Sequence, residues 1–126
     1  DYSEIDVWEV LKRHRVNPHP CYRAGWNRCS CAMCIFSTPK LFAGIRELYP
    51  RDYQMLKYDE EILGFTLDNK YNLDTFVGDA KSCVYHGDQE AIHSLLTGEF
   101  PVDDIYVQEQ WRYPAGAFHG AEGGPC

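Results

Sequence analysis

Long apolar runs are missing from this sequence. None reaches the roughly 18 residues that a membrane-crossing helix needs, and the stretch beside the cysteines, Ala32 to Phe36, is far shorter. A membrane-spanning helix is excluded on that ground. Basic charge is also scarce: twelve Lys and Arg face nineteen Asp and Glu, a net −7. Non-specific nucleic-acid binding scales with the phosphates neutralised, so nucleic acid is not an expected partner. Nor is there a Ser–His–Asp constellation, a pair of carboxylates set for acid–base work, or a phosphate-cradling glycine loop opening a helix. The chain starts Asp1-Tyr2-Ser3, with no initiator methionine and no charged-then-apolar leader. No targeting signal is expected, and the chain reads as mature or cut.

What is present suits one folded domain spanning 1–126, with 44% apolar and 14% aromatic residues. Charge is uneven along it. Residues 1–50 carry a net +2 and residues 51–126 a net −9. The positive zone offers a seat for a small anion, but Lys12, Arg13 and Arg15 read more simply as a solvated helix face. Ser3 and Asp6 resemble a capping box, and Ile5, Val7, Trp8, Val10 and Leu11 follow as an apolar set. Together they predict a helix over about 3–15. Asn17-Pro18-His19-Pro20 stops it, and a Cys-rich irregular loop is expected over 16–36. Thr38-Pro39 opens a second helix with Leu41, Phe42, Ile45 and Leu48 inward, ended by Pro50. A third is expected over 52–63, with Met55, Leu56, Ile62 and Leu63 inward and Gly64 as its stop. Phe65 to Tyr85 reads as loop with short helical turns. Asp88 caps a fourth helix that closes near Gly98, and Ile105-Tyr106-Val107 suggests a short strand. A Gly/Pro-rich tail fills 112–126. The expected class is mainly α with long loops, and loops of that length are usually functional or ordered by something such as a metal.

Six cysteines occur, four of them within fourteen positions: Cys21, Cys29, Cys31 and Cys34. A stapled secreted domain spreads its cysteines to close loops, whereas this Cys-x-Cys-x-x-Cys cluster closes almost nothing. Thiolates converging on a metal in a reducing, cytoplasmic compartment are the stronger reading. Zinc and an iron–sulfur cluster both suit such donors. The spacing departs from paired zinc knuckles, so Cys29 and Cys31 need not share a centre, and His14 and His19 are substitute ligands. Buried reduced thiols acting as small hydrophobes are the bland alternative. Trp8, Tyr22 and Trp26 read as packing residues. Arg28, three positions before Cys31, either lowers a thiolate pKa while pairing an oxyanion or binds loop carbonyls.

A resemblance rests on Asp6-Val7-Trp8, on Asn17-Pro18-His19-Pro20-Cys21-Tyr22, and on Gly25, Arg28, Cys31 and Cys34. In that order they are similar to the C-terminal part of the phosphoadenosine phosphosulfate (PAPS) reductase family. The stretch from Trp111 to Gly120 also looks like the tails of phage-type members. The resemblance covers about 3–36 and implies the C-terminal portion of an α/β adenine-nucleotide hydrolase-like protein acting in sulfonucleotide reduction or sulfur transfer. An iron–sulfur cluster is the implied cofactor, with zinc as the alternative. Cys31 and Cys34 carry over as its ligands, while Cys21 and Cys29 join them by proximity alone. The family's Ser-Gly-Gly-x-Asp-Ser nucleotide loop is absent here, so the sulfonucleotide would be held by a part outside these residues. A redox-active cysteine near the C-terminus is a further family trait, for which Cys126 is the candidate. The rival reading is a zinc-stabilised helical protein-binding module without catalysis; a homo-oligomer is compatible with either. Calorimetric titration of this chain with an adenine nucleotide is expected to show no binding, and micromolar affinity would show the nucleotide site to be misplaced.

Overall fold

The computed structural model describes residues 1–119. Six α-helices are found among the described residues: α1 Glu4–Arg13, α2 Pro20–Arg23, α3 Pro39–Leu48, α4 Pro50–Leu63, α5 Leu73–Val77 and α6 Gln89–Thr97, followed by a 3-10 turn at Val102–Ile105. The mainly α expectation holds. In place of a strand at 105–107 there is a single antiparallel bridge between Val16 and Tyr106, just after the 3-10 turn. No described helix is long and apolar enough to cross a membrane. Two compact units emerge among the described residues, Asp1–Cys29 together with 85–119, and Ser30–Val84. Residues 120–126, with Cys126 and the end of the Gly/Pro-rich tail, lie outside the described residues.

In the first unit α1 begins as its sequence dictates. The Ser3 hydroxyl accepts the Asp6 N–H while the Asp6 carboxylate accepts the Ser3 N–H, a complete capping box. Its apolar set, however, does not form a buried stripe. Trp8 is buried, whereas Ile5, Val7 and Val10 are exposed. One large indole does most of the packing. It meets Trp111 and Ala117, with Leu11, Tyr22 and Val107 against them. The Trp8 and Tyr22 rings meet edge to face at 5.3 Å. Glu4 satisfies the Trp8 indole N–H at 3.0 Å and accepts the Phe118 N–H at 2.7 Å, fastening the late segment to the first helix. Gly116 allows the tightest approach. A Cβ there would sit 1.9 Å from the Trp26 carbonyl oxygen, so no side chain fits.

Between α1 and α2 the chain reverses at Arg15, a non-glycine residue at φ 56°. Its guanidinium donates to the carbonyls of Val107, Gln108 and Glu109 at 2.9, 2.7 and 2.6 Å. Arg15, exposed like its neighbours Lys12 and Arg13, also serves as a backbone staple. Around it Asn17 N–H donates to Ile105 O, Val107 N–H to Arg15 O, and the Trp111 indole to Val16 O. These bonds fix the entry to the Pro18-His19-Pro20 turn.

The second unit is built on α3. Thr38 caps it and Pro39 occupies its first turn. Leu41, Phe42 and Ile45 are buried as expected, each stabilising by about 2 kcal/mol on burial. They pack toward α4 and α5, where Leu73 and Val77 are buried. Gly64 ends α4 in the left-handed region at φ 67°. The inward face of α4 corrects the sequence reading: Met55, Ile62 and Leu63 are exposed, and Tyr53 is the buried residue. That face is held by polar anchors. Tyr53 Oη donates to Asp74, Lys57 pairs with Asp74, and the Glu60 carboxylate accepts the N–H groups of Leu67 and Leu73 at 2.8 Å each.

Replacing Arg15 by Ala removes three charge-assisted bonds while keeping the left-handed backbone. Urea denaturation is expected to show a loss of about 2 kcal/mol, and amide exchange at 105–109 should accelerate. An unchanged unfolding midpoint would show the staple to be ornamental.

Candidate metal centre

The expected loop over 16–36 contains one helical turn, α2, and that turn organises the cysteines. His19 caps it: its Nδ1 accepts the Cys21 N–H at 3.2 Å, and Pro20 follows in the first turn. Accepting that N–H leaves the ring proton on Nε2. Phe100 lies against the imidazole, ring centroids 5.7 Å apart. The chain then returns through Gly25, where Trp26 N–H donates to Cys21 O at 2.9 Å. This reversal carries Cys29 back, and its N–H donates to Tyr22 Oη at 3.3 Å.

The result is a convergence of three donors. The ligand atoms of His19, Cys21 and Cys29 all lie within 4.8 Å of one another. Cys29 Sγ is 3.6 Å from His19 Nδ1. With bonds of about 2.3 Å to sulfur and 2.0–2.1 Å to nitrogen, a tetrahedral ion separates those two atoms by about 3.6 Å, so the pair already stands at the spacing of a tetrahedron's edge. Imidazole and thiolate are soft-to-borderline donors that suit zinc and related ions. The residues present fit a metal ion. None of the five described cysteines forms a disulfide.

Electrostatics follow from burial. Loss of hydration holds His19 below the ordinary imidazole range, which keeps its lone pair available near neutral pH. Burial, and then the neighbouring Cys29, push the Cys21 thiol well up. A cation bound there would displace the Cys21 proton, so metal uptake would release protons and weaken as pH falls.

Arg23 locks this turn to the rest of its unit. Its guanidinium grips the Asp88 carboxylate with two bonds, 2.8 and 3.0 Å, and lies 3.6 Å from Glu90. Asp88 also caps α6 through the Ala91 N–H. The fork thus ties the cysteine-bearing turn α2 to the start of α6. Arg23, its side chain largely buried and paired with Asp88 and Glu90, is not an anion seat.

Other residues from the sequence reading fall as follows. Trp8 and Trp26 are buried packing residues, and Tyr22 is half-buried against Trp8. His14 caps the end of α1 and is exposed. Arg28 is half-buried in the same loop and has interactions of its own. Cys31 and Cys34 belong to the second unit, Cys31 exposed and Cys34 half-buried. The Arg23–Asp88 fork has no local sequence signal, because its partners are 65 positions apart. No protein-family model, characterised protein or solved structure matches the chain.

Cys83 contrasts with these. It is buried, and burial pushes its thiol up to about 12. At pH 8 its thiolate fraction is on the order of 10⁻⁴, so a disulfide-exchange reagent should label the exposed Cys29 and Cys31 in native protein and spare Cys83. Labelling of Cys83 at the same rate would contradict its burial.

Proposed function

We propose that this chain is the metal-bearing part of a PAPS-reductase-like protein, and that His19, Cys21 and Cys29 hold a single divalent ion, zinc before iron. The observation carrying the metal reading is the convergence of one imidazole and two thiol groups within 4.8 Å. A histidine among the donors favours zinc, since iron–sulfur clusters are ordinarily held by cysteine thiolates. The ion's contribution would be to clamp the turn after Pro18 to the returning loop, in a stretch with little regular structure of its own. Three protein donors leave one tetrahedral position, which structural sites close with a fourth side chain and catalytic sites leave to water or substrate.

The family, and with it sulfonucleotide reduction or sulfur transfer, is supported by the ordered motifs over 3–36, and the metal-bearing turn lies inside that stretch. The same motifs supply Cys31 and Cys34 as further candidate ligands. A zinc-stabilised binding surface without catalysis is the second reading, and the histidine donor favours it because it lowers the case for an iron–sulfur centre.

Anaerobic purification followed by elemental analysis is expected to give colourless protein with about one zinc per chain. Cys21→Ser and Cys29→Ser should each abolish stoichiometric zinc, His19→Ala should weaken it, and Cys83→Ser should leave it intact. Loss in Cys31→Ser or Cys34→Ser would add that residue to the ligand set. Removing the ion should speed amide exchange across 18–29 more than elsewhere. A brown protein that bleaches in air would replace zinc by a cluster, and metal-free protein with unchanged exchange would remove the centre altogether.

A further inference from the structure

We propose that Cys21 and Cys29 are also an oxidative modification site, closing to a disulfide on two-electron oxidation by a peroxide and expelling the ion as they close. Only the expulsion rests on the metal reading; the disulfide rests on the placement of the two sulfurs. Their Sγ atoms lie within 4.8 Å, and a disulfide needs about 2.05 Å. Cys29 lies outside any helix, so turning its side chain can shorten the gap without unwinding a helix. The two differ in access. Cys29 is exposed and Cys21 is half-buried beside it, the arrangement of an attacked sulfur and a resolving one. Cys83, by contrast, is buried.

The chemistry balances with one peroxide. The Cys29 thiolate attacks one peroxide oxygen, the O–O bond breaks, and hydroxide leaves to become water. The resulting sulfenic acid is attacked at sulfur by Cys21, forming the S–S bond. The S–O bond breaks, and the oxygen departs as a second water with the Cys21 proton. Two thiols and one hydrogen peroxide give one disulfide and two waters. A disulfide sulfur is a far poorer ligand than a thiolate, so an ion left with His19 as its remaining donor from this group would dissociate.

The test uses the full chain in two preparations, one stripped with a chelator and one loaded with zinc, each given one equivalent of hydrogen peroxide. After alkylation and proteolysis, mass spectrometry of the stripped protein should find a cross-linked peptide pair joining Cys21 to Cys29. In Cys21→Ser the reaction should stop at a Cys29 sulfenic acid, trapped by a dione reagent. With free zinc about tenfold above its dissociation constant, cross-linking should run roughly tenfold slower, because only the ion-free fraction reacts. A chromogenic chelator should register zinc released in step with the disulfide. A cross-link between Cys31 and Cys34, bonds between chains, or no disulfide in stripped protein would overturn the proposal and leave the metal centre standing. A Cys21–Cys29 bond that forms equally fast with zinc, with no ion released, would instead sink the metal centre and the expulsion together.

Discussion

The candidate centre depends on how Arg15 closes the chain on itself. A guanidinium with five donors on a fixed plane can satisfy several carbonyls at once, and here it takes those of Val107, Gln108 and Glu109. Those residues take part in no sheet ladder here: the one bridge nearby, Val16 to Tyr106, is isolated. The staple replaces the missing ladder. With Val107 N–H bonded to Arg15 O and Asn17 N–H to Ile105 O, both sides of the turn into Pro18 are fixed. His19 is thereby presented at a defined place, next to Phe100.

Much of the helical layout could be read from local chemistry. Ser3 with Asp6, Thr38 with Pro39, Asp88, Gly64 and Gly98 all act where their side chains or backbones suggest. Capping is decided within four residues, which is why it is legible. The face a helix buries is decided elsewhere. On α4 the apolar letters Met55, Ile62 and Leu63 stand exposed while Tyr53, Lys57 and Glu60 turn to Asp74 and to the N–H groups of Leu67 and Leu73. A residue-by-residue hydrophobic pattern weighs a glutamate as solvent-facing. It cannot register that two backbone donors thirteen positions away or fewer need that carboxylate.

The same division runs through the candidate metal centre. The density of cysteines marks a site, because thiols so close in sequence have little use as loop-closing staples. Which of them share a centre is a matter of fold. Cys21 and Cys29 meet because a one-turn helix and the reversal at Gly25 bring the chain back, and His19 joins as the cap of that helix. A capping histidine carries no spacing signature relative to the cysteines. The Arg23–Asp88 fork is hidden for the converse reason, being a contact between segments far apart in sequence.

The double duty of His19 decides whether its capping role opposes metal binding. Its Nδ1 has one lone pair in the ring plane, which accepts the Cys21 N–H and also faces the Cys29 sulfur. An ion bound at Nδ1 would take that lone pair and leave the Cys21 N–H without its cap. The loss is one hydrogen bond, worth about 1 kcal/mol net, at a site where water can replace it. Zinc held by thiolates and imidazole contributes on the order of 10 kcal/mol in small domains. The larger quantity wins by a wide margin. The cap therefore does not compete seriously with the ion: it holds the imidazole with Nδ1 unprotonated and turned toward the sulfurs, so that little remains to be rearranged when a cation arrives.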